Sequence, residues 1–127
     1  MLRLLLATAG LGLITACSGQ ASDKAAPPYE PDAAHIALAE THVPADASLA
    51  AIYDRSCRAC HALEGLGAPL AGDSAAWGPR LEERGMDGLL ASVHSGKGTM
   101  PPMGYCADCS DDDFLALIGF MSTEALE

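Results

Sequence analysis

The chain has 127 residues, which is enough for one small domain with appended segments. Its 17 acidic and 7 basic residues give a formal net charge of −10, which argues against binding to nucleic acid or docking on anionic lipid. The charge favours a protein partner with a basic docking patch, although a need for solubility explains it equally well.

Residues 1–16 have the organisation of an export signal. Arg3 precedes the apolar run 4–14, which is too short to span a bilayer as a permanent helix. The small residues before Cys17 resemble the lipobox of bacterial lipoproteins, which implies cleavage before Cys17 and its lipidation. The mature protein would then be periplasmic and held to a membrane by lipid alone, and Ser18 resembles the sorting pattern for the outer membrane. An ordinary secretory signal with an incidental cysteine is the alternative.

Residues 17–45 are predicted to be a flexible tether. The segment is rich in Ala, Pro and Asp, and its prolines stiffen it locally. Asp32 can cap one or two Ala-rich helical turns ending near Thr41, with little to bury. The histidines of this segment, His35 and His42, are expected to be solvated.

The globular domain is predicted over residues 46–127. Asp46 or Ser48 can cap a first helix that delivers Cys57. Its other apolar positions recur at helical spacing: Leu49, Ile52 and Tyr53.

The stretch Cys57-Arg58-Ala59-Cys60-His61 is a C-x-x-C-H motif. In an exported protein this spacing is typical of covalent haem c attachment, in which two thiols take up the vinyl groups and the histidine binds iron. A redox dithiol, half of a zinc site and a small disulfide loop are the alternatives. They are disfavoured because the histidine follows directly, no second zinc half-site has suitable spacing, and no βαβ pattern surrounds the motif. The sequence therefore predicts one haem c held by Cys57, Cys60 and His61.

Two more helices are predicted downstream. Asp87 can cap a short helix that stops at Gly96, and Ser110 can cap the last helix, whose first turn holds three aspartates. No strand pattern and no internal repeat is found. The domain is therefore predicted to be all-α, with about four short helices wrapped around the haem. A domain of about 80 residues is close to the size at which its own core is marginal, so the haem would supply the missing apolar centre.

Met100 is the candidate for the second axial ligand. It precedes Pro101 and Pro102, so a stiff extended loop could aim its thioether at iron. Met103 offers a second thioether, and His94 is a rival that would give a bis-histidine haem. Packing into the core is the structural alternative for either methionine.

The C-x-x-C-H motif followed by Met-Pro-Pro resembles the class I c-type cytochromes. The pair Cys106 and Cys109, just before Ser-Asp-Asp, resembles the cytochrome c-five subgroup in particular, and the resemblance covers residues 49–117. It implies a small cytochrome c fold in which His61 and Met100 are the axial ligands. It also implies a Cys106–Cys109 disulfide, with a catalytic dithiol as the alternative, and it places Trp77 and Arg80 near the haem edge and propionates.

The function implied by this resemblance is single-electron transfer without catalysis. The expected partners are redox proteins, such as a membrane quinol-oxidising complex and a terminal oxidase or reductase of a respiratory or related chain. The competing interpretation is a haem peroxidase or gas sensor with a displaceable distal ligand.

Overall fold

Five α-helices and one 3₁₀ turn make up residues 29–123, the part of the chain that this computed structural model describes. In chain order they are α1 (Ala33–Thr41), α2 (Ala47–Arg55), α3 (Arg58–His61), α4 (Ser74–Ser95), the 3₁₀ turn (Pro102–Tyr105) and α5 (Asp111–Ser122). The predicted all-α class is confirmed, with one helix more than expected. None of these helices is both long enough and apolar enough to cross a bilayer.

Helix α2 begins where the sequence predicts. Asp46 is its N-cap and accepts a hydrogen bond from the Leu49 amide at 2.9 Å. The prediction that this helix reaches Cys57 is wrong, because it ends at Arg55. The Ser56 hydroxyl donates back to the Ile52 carbonyl and the Ser56 backbone leaves the helical conformation, so Cys57 lies beyond the helix end.

Helix α4 is longer than predicted. It starts after Asp73, whose side chain accepts from the Ala76 amide at 3.0 Å, and it continues through Pro79. Gly85, with φ of +63°, breaks it into two helical arms, so the expected cap at Asp87 is wrong. The predicted end at Gly96 is confirmed.

Helix α5 has the predicted cap. The Asp113 amide donates to the Ser110 hydroxyl at 3.2 Å, and the Asp113 carboxylate accepts from the Ser110 amide at 2.9 Å, which is a reciprocal capping box. The apolar faces of α2, α4 and α5 enclose the core. Its largest members are Tyr53, Trp77, Leu89, Phe114, Leu117, Ile118 and Met121.

Helix α1 packs against this domain. Asp32 caps it by accepting hydrogen bonds from two amides of the first turn at 2.9 Å each, and Ala39 is fully buried. A nine-residue helix is marginal by itself, so its contacts with the domain stabilise it. The predicted cap at Asp32 and the predicted helix end near Thr41 are confirmed, whereas the expectation that this helix has little to bury is wrong, because residues 29–42 contact the domain. Residues 17–28 of the predicted tether, like the predicted signal 1–16, lie outside the described residues.

The two histidines of this segment are not simply solvated, contrary to the expectation from sequence. His42 stacks on the ring of Phe120 with centroids 4.2 Å apart, and burial lowers the pKa of its imidazole. His35 is half-buried and contacts the Asp32 carboxylate at 2.9 Å.

Candidate haem site

The two motif thiols lie at the start and near the end of one helical turn. Cys57 is the N-cap of α3, and its carbonyl accepts from the amides of Cys60 at 3.2 Å and His61 at 3.0 Å. Both cysteines are free and half-buried, and burial raises the pKa of the Cys57 thiol. The spacing therefore places two reduced thiols and the imidazole on a single compact turn.

His61 is held by a backbone loop. Its side chain is buried, and Nδ1 lies 2.8 Å from the carbonyl oxygen of Pro69, to which it donates in the Nδ1–H tautomer. The His61 carbonyl in turn accepts from the Ala71 amide at 2.8 Å. Burial lowers the pKa of the imidazole, so the ring is neutral near pH 7 and presents Nε2 as a ligand atom.

Trp77 lies beside this histidine. The two rings stack with centroids 5.6 Å apart, and the indole N–H donates to the Leu70 carbonyl at 2.9 Å. Arg80, one turn further along α4, places its guanidinium 5.8 Å from the centre of the Tyr29 ring. Of the two residues predicted to lie at the haem edge, Trp77 contacts His61, whereas Arg80 is turned towards the N-terminal segment.

Met100 is fixed by a tight turn. Its amide and carbonyl pair with those of Lys97 at 3.0 and 3.1 Å, and its side chain is partly buried against the core. Gly96, with φ of +76°, allows this turn, since a Cβ there would lie 2.7 Å from the Met100 carbonyl and 3.0 Å from the Pro102 nitrogen. Two hydrogen bonds and a crowded glycine therefore define the backbone turn before the two prolines.

Met103 has a different partner. Its sulfur lies 3.3 Å from Nδ1 of His94, whose Nε2 lies 2.9 Å from the Asp111 carboxylate. Met103 and His94, the two rivals of Met100 as a ligand, contact each other, and His94 also contacts α5. Met100 therefore stays the predicted distal ligand.

Cys106 and Cys109 are joined as a disulfide with a Cα–Cα distance of 5.4 Å, and Cys106 is fully buried. These sulfurs and Asp108 cluster closely, but bonded sulfurs are not thiolate ligands, so the cluster is not a metal site. Asp108 instead accepts two hydrogen bonds of 3.0 Å from Arg55. This bidentate pair links the disulfide loop to the helix that precedes the C-x-x-C-H motif.

The donor set fits a covalent haem c. Two free thiols stand three residues apart, a buried neutral imidazole has one nitrogen held by a carbonyl, and a thioether lies on a hydrogen-bonded turn. A zinc site of four ligands would need further thiolates or imidazoles at matched spacing. In the described residues, the remaining cysteines are bonded to each other and His94 is engaged elsewhere.

Comparison with known proteins agrees with this donor set. A family model described as "Cytochrome C oxidase, cbb3-type, subunit III" matches residues 44–121. Cytochrome c5 of Azotobacter vinelandii is 57% identical over 72 residues, which cover 56% of this chain and 87% of that protein. The chain is a class I c-type cytochrome. Members of its family bind one covalent haem c through the C-x-x-C-H motif.

Two further relatives and one solved structure support the same grouping of this cytochrome. Cytochrome c5 of Ectopseudomonas mendocina is 50% identical over 72 residues, covering 56% of this chain and 83% of that protein. Cytochrome c-555 of Chlorobaculum tepidum is 39% identical over 75 residues, covering 56% of this chain and 68% of that protein. A chain from the crystal structure of an electron transfer complex of nitrite reductase with cytochrome c matches with a TM-score of 0.53 and 38% identity, covering 61% of this chain and 93% of that one. The resemblance to the cytochrome c-five subgroup is thereby confirmed.

Sequence reasoning missed two supports of the site in this cytochrome. Arg55 gave no signal, because an exposed arginine two residues before a cysteine is ordinary and its partner Asp108 lies 53 positions away. Asp73 could have been found, because an aspartate directly before Ser74 is a typical helix start. The glycine and proline that follow it obscured that signal.

Proposed function

We propose that this cytochrome is a single-electron carrier of the bacterial periplasm, tethered to a membrane through lipidated Cys17. It would pass electrons between redox proteins of a respiratory or related chain. Its family and its relatives, which are electron-carrier cytochromes, support the electron-transfer part. The lipobox-like residues before Cys17 support the tether.

The haem site would be built from Cys57 and Cys60 as thioether anchors and His61 and Met100 as axial ligands. When bound, the haem supplies a reversible one-electron couple. The chain's own residues hold the imidazole neutral, fix its tautomer through Pro69 and hold the Met100 backbone in a turn. The single observation that carries the proposal is that the chain offers a restrained donor for each axial position, which favours electron transfer over a peroxidase or gas sensor.

The partner is proposed to be a redox protein with a basic docking surface. The net charge of −10 supports this, and two of the arginines, Arg55 and Arg58, are each paired with a carboxylate of the chain itself. The solved relative comes from a complex of cytochrome c with nitrite reductase. A reductase is therefore one proposed acceptor here, together with a terminal oxidase, and a quinol-oxidising complex is the proposed donor.

Ionic strength tests the docking proposal. The bimolecular rate of electron transfer from the reduced cytochrome to a purified reductase should fall steeply between low and physiological salt, because screening weakens attraction between opposite charges. The control is a small neutral oxidant, for which the rate should be nearly independent of salt. A flat or rising rate with the protein partner would contradict an acidic docking surface.

Substitution at the lipobox tests the tether. Cys17→Ser should release the cytochrome from the membrane fraction, because no thiol remains to be acylated. Ser18→Asp is the matched control, since it keeps the thiol and should change at most which membrane holds the protein. Retention of Cys17→Ser in the membrane would refute lipid anchoring and leave the electron-transfer proposal untouched.

A further inference from the structure

The folded segment 29–42 lies in front of the part of the chain that the family model matches, which begins at residue 44. Its helix α1 buries Ala39 completely, so it is packed on the cytochrome domain. This N-terminal clamp, residues 29–42, contacts the domain at both of its ends. These contacts indicate that the clamp supports the haem site.

At one end the hydroxyl of Tyr29 makes two hydrogen bonds. It donates to the Asp73 carboxylate at 2.7 Å and accepts from the Leu70 amide at 3.3 Å. Burial, followed by the bond to Asp73, raises the pKa of Tyr29 to about 12, so the hydroxyl stays protonated and keeps both roles at neutral pH. Leu70 is fully buried, so without the Tyr29 hydroxyl its amide would lose this hydrogen-bond partner.

Leu70 lies in the segment that orients the proximal histidine. Its neighbour Pro69 supplies the carbonyl 2.8 Å from Nδ1 of His61, and its other neighbour Ala71 donates to the His61 carbonyl. The Leu70 carbonyl accepts from the Trp77 indole. The Tyr29 bond to the Leu70 amide is therefore the contact through which the clamp reaches the three residues that hold His61.

The other end of the clamp contacts the attachment turn and the last helix. Arg58, which lies between the two motif cysteines, donates to the Glu40 carbonyl at 3.1 Å. His42 stacks on Phe120 with the ring planes only 14° apart. The clamp thus spans from the loop that holds the imidazole to the turn that carries it.

We propose that Tyr29 is a positioning residue for His61, acting through Leu70 to keep the Pro69 carbonyl in place on Nδ1. This inference rests on His61 being an axial ligand, as proposed above. A firmly placed acceptor on Nδ1 makes the imidazole a stronger electron donor and stabilises the oxidised state of the site. Loosening the carbonyl therefore raises the reduction potential. The clamp is a device of this chain for tuning the potential from outside the matched domain.

Tyr29→Phe in the full-length, haem-loaded protein tests this role, because it removes the hydroxyl and keeps the ring. The Leu70 amide should exchange with solvent roughly tenfold faster in the reduced protein, measured by NMR, because one hydrogen bond is lost. The reduction potential should shift upward. Tyr105→Phe is the matched control: it removes a hydroxyl from a side chain that is 73% exposed and should change neither quantity.

A second variant separates positioning from general loosening. His42→Ala removes the stacking at the far end of the clamp and leaves the Tyr29 hydroxyl, so it should lower stability without shifting the potential. An unchanged potential in Tyr29→Phe overturns the proposal, whether or not Leu70 exchange accelerates. An equal shift in His42→Ala also overturns it. Failure of the proposed function would appear differently, as a spectrum of the unmodified protein that lacks methionine ligation.

Discussion

The indole N–H of Trp77 is a buried donor beside the proximal histidine, and Trp77→Phe removes it while keeping an aromatic ring. The indole donates to the Leu70 carbonyl at 2.9 Å, and Trp77 and Leu70 are 5% and 0% exposed. A buried acceptor left without its donor costs about 1–3 kcal/mol. The smaller ring loses apolar contact worth on the order of 1 kcal/mol. The free energy of unfolding should therefore fall by about 2–4 kcal/mol.

The loss should be visible in denaturant titrations followed by far-ultraviolet circular dichroism. The midpoint should decrease at constant slope, because the surface exposed on unfolding hardly changes. For a domain of this size the melting temperature should fall by roughly 10–30 °C. Because the Trp77 ring stacks on His61, Trp77→Phe should also change the absorption spectrum of the haem.

Tyr105→Phe is the matched control, since loss of its exposed hydroxyl should change stability by at most about 0.5 kcal/mol. A loss below about 0.5 kcal/mol in Trp77→Phe would refute the argument, because it would mean that the Leu70 carbonyl does not depend on the indole. Such a result would also weaken the view that residues 69–71 form a rigid support for His61.

Three further changes test other parts of the structure. Ser110→Ala removes the cap of α5 and should cost about 1 kcal/mol in denaturant unfolding. Burial lowers the pKa of His42, so below about pH 6.5 the unfolded chain takes up a proton that the folded chain does not, and the stability of the unmodified protein decreases as pH falls. His42→Phe removes this group and should therefore flatten the pH dependence of stability. Gly96→Ala should displace the Met100 turn, because the added Cβ would lie 2.7 Å from the Met100 carbonyl, and should weaken the spectral signature of methionine ligation.

Each of these has a clear contrary result. Full stability in Ser110→Ala would mean that the three aspartates of the first turn suffice to start α5. An unchanged pH profile in His42→Phe would show that the imidazole is protonated as easily in the folded chain as in the unfolded one. An unaltered spectrum in Gly96→Ala would show that the Met100 side chain is independent of the turn behind it.

The sequence predicts structure correctly where all the residues that determine it lie in one short segment. The C-x-x-C-H spacing fixes two sulfurs and an imidazole on one turn, and the Ser110 cap with its aspartates fixes the start of α5. Asp46 likewise starts α2 as predicted. Each signal acts through hydrogen bonds within a few residues of the chain, so no knowledge of distant neighbours is needed.

The rest depends on contacts between distant residues. The sequence of helix α1 offers little apolar surface. Contacts on either side of the helix hold it to the domain: Tyr29 bonds to Asp73, 44 positions away, and His42 stacks on Phe120, 78 positions away. The first arm of α4 contains Pro79, which local rules treat as a break, yet the arm is helical and its Trp77 is buried. The packing of α1 on the domain and the passage of α4 through Pro79 depend on tertiary contacts that leave no local pattern in the sequence.

Binding of the haem iron by both His61 and Met100 can be read from the absorption spectrum of the oxidised protein and of two methionine variants. If both residues bind iron, as expected of an electron carrier, the spectrum shows a weak band near the red end that is characteristic of methionine-to-iron ligation. This band should be lost in Met100→Ala and kept in Met103→Ala. Its persistence in Met100→Ala with loss in Met103→Ala, or its absence from the unmodified protein, would refute ligation by Met100.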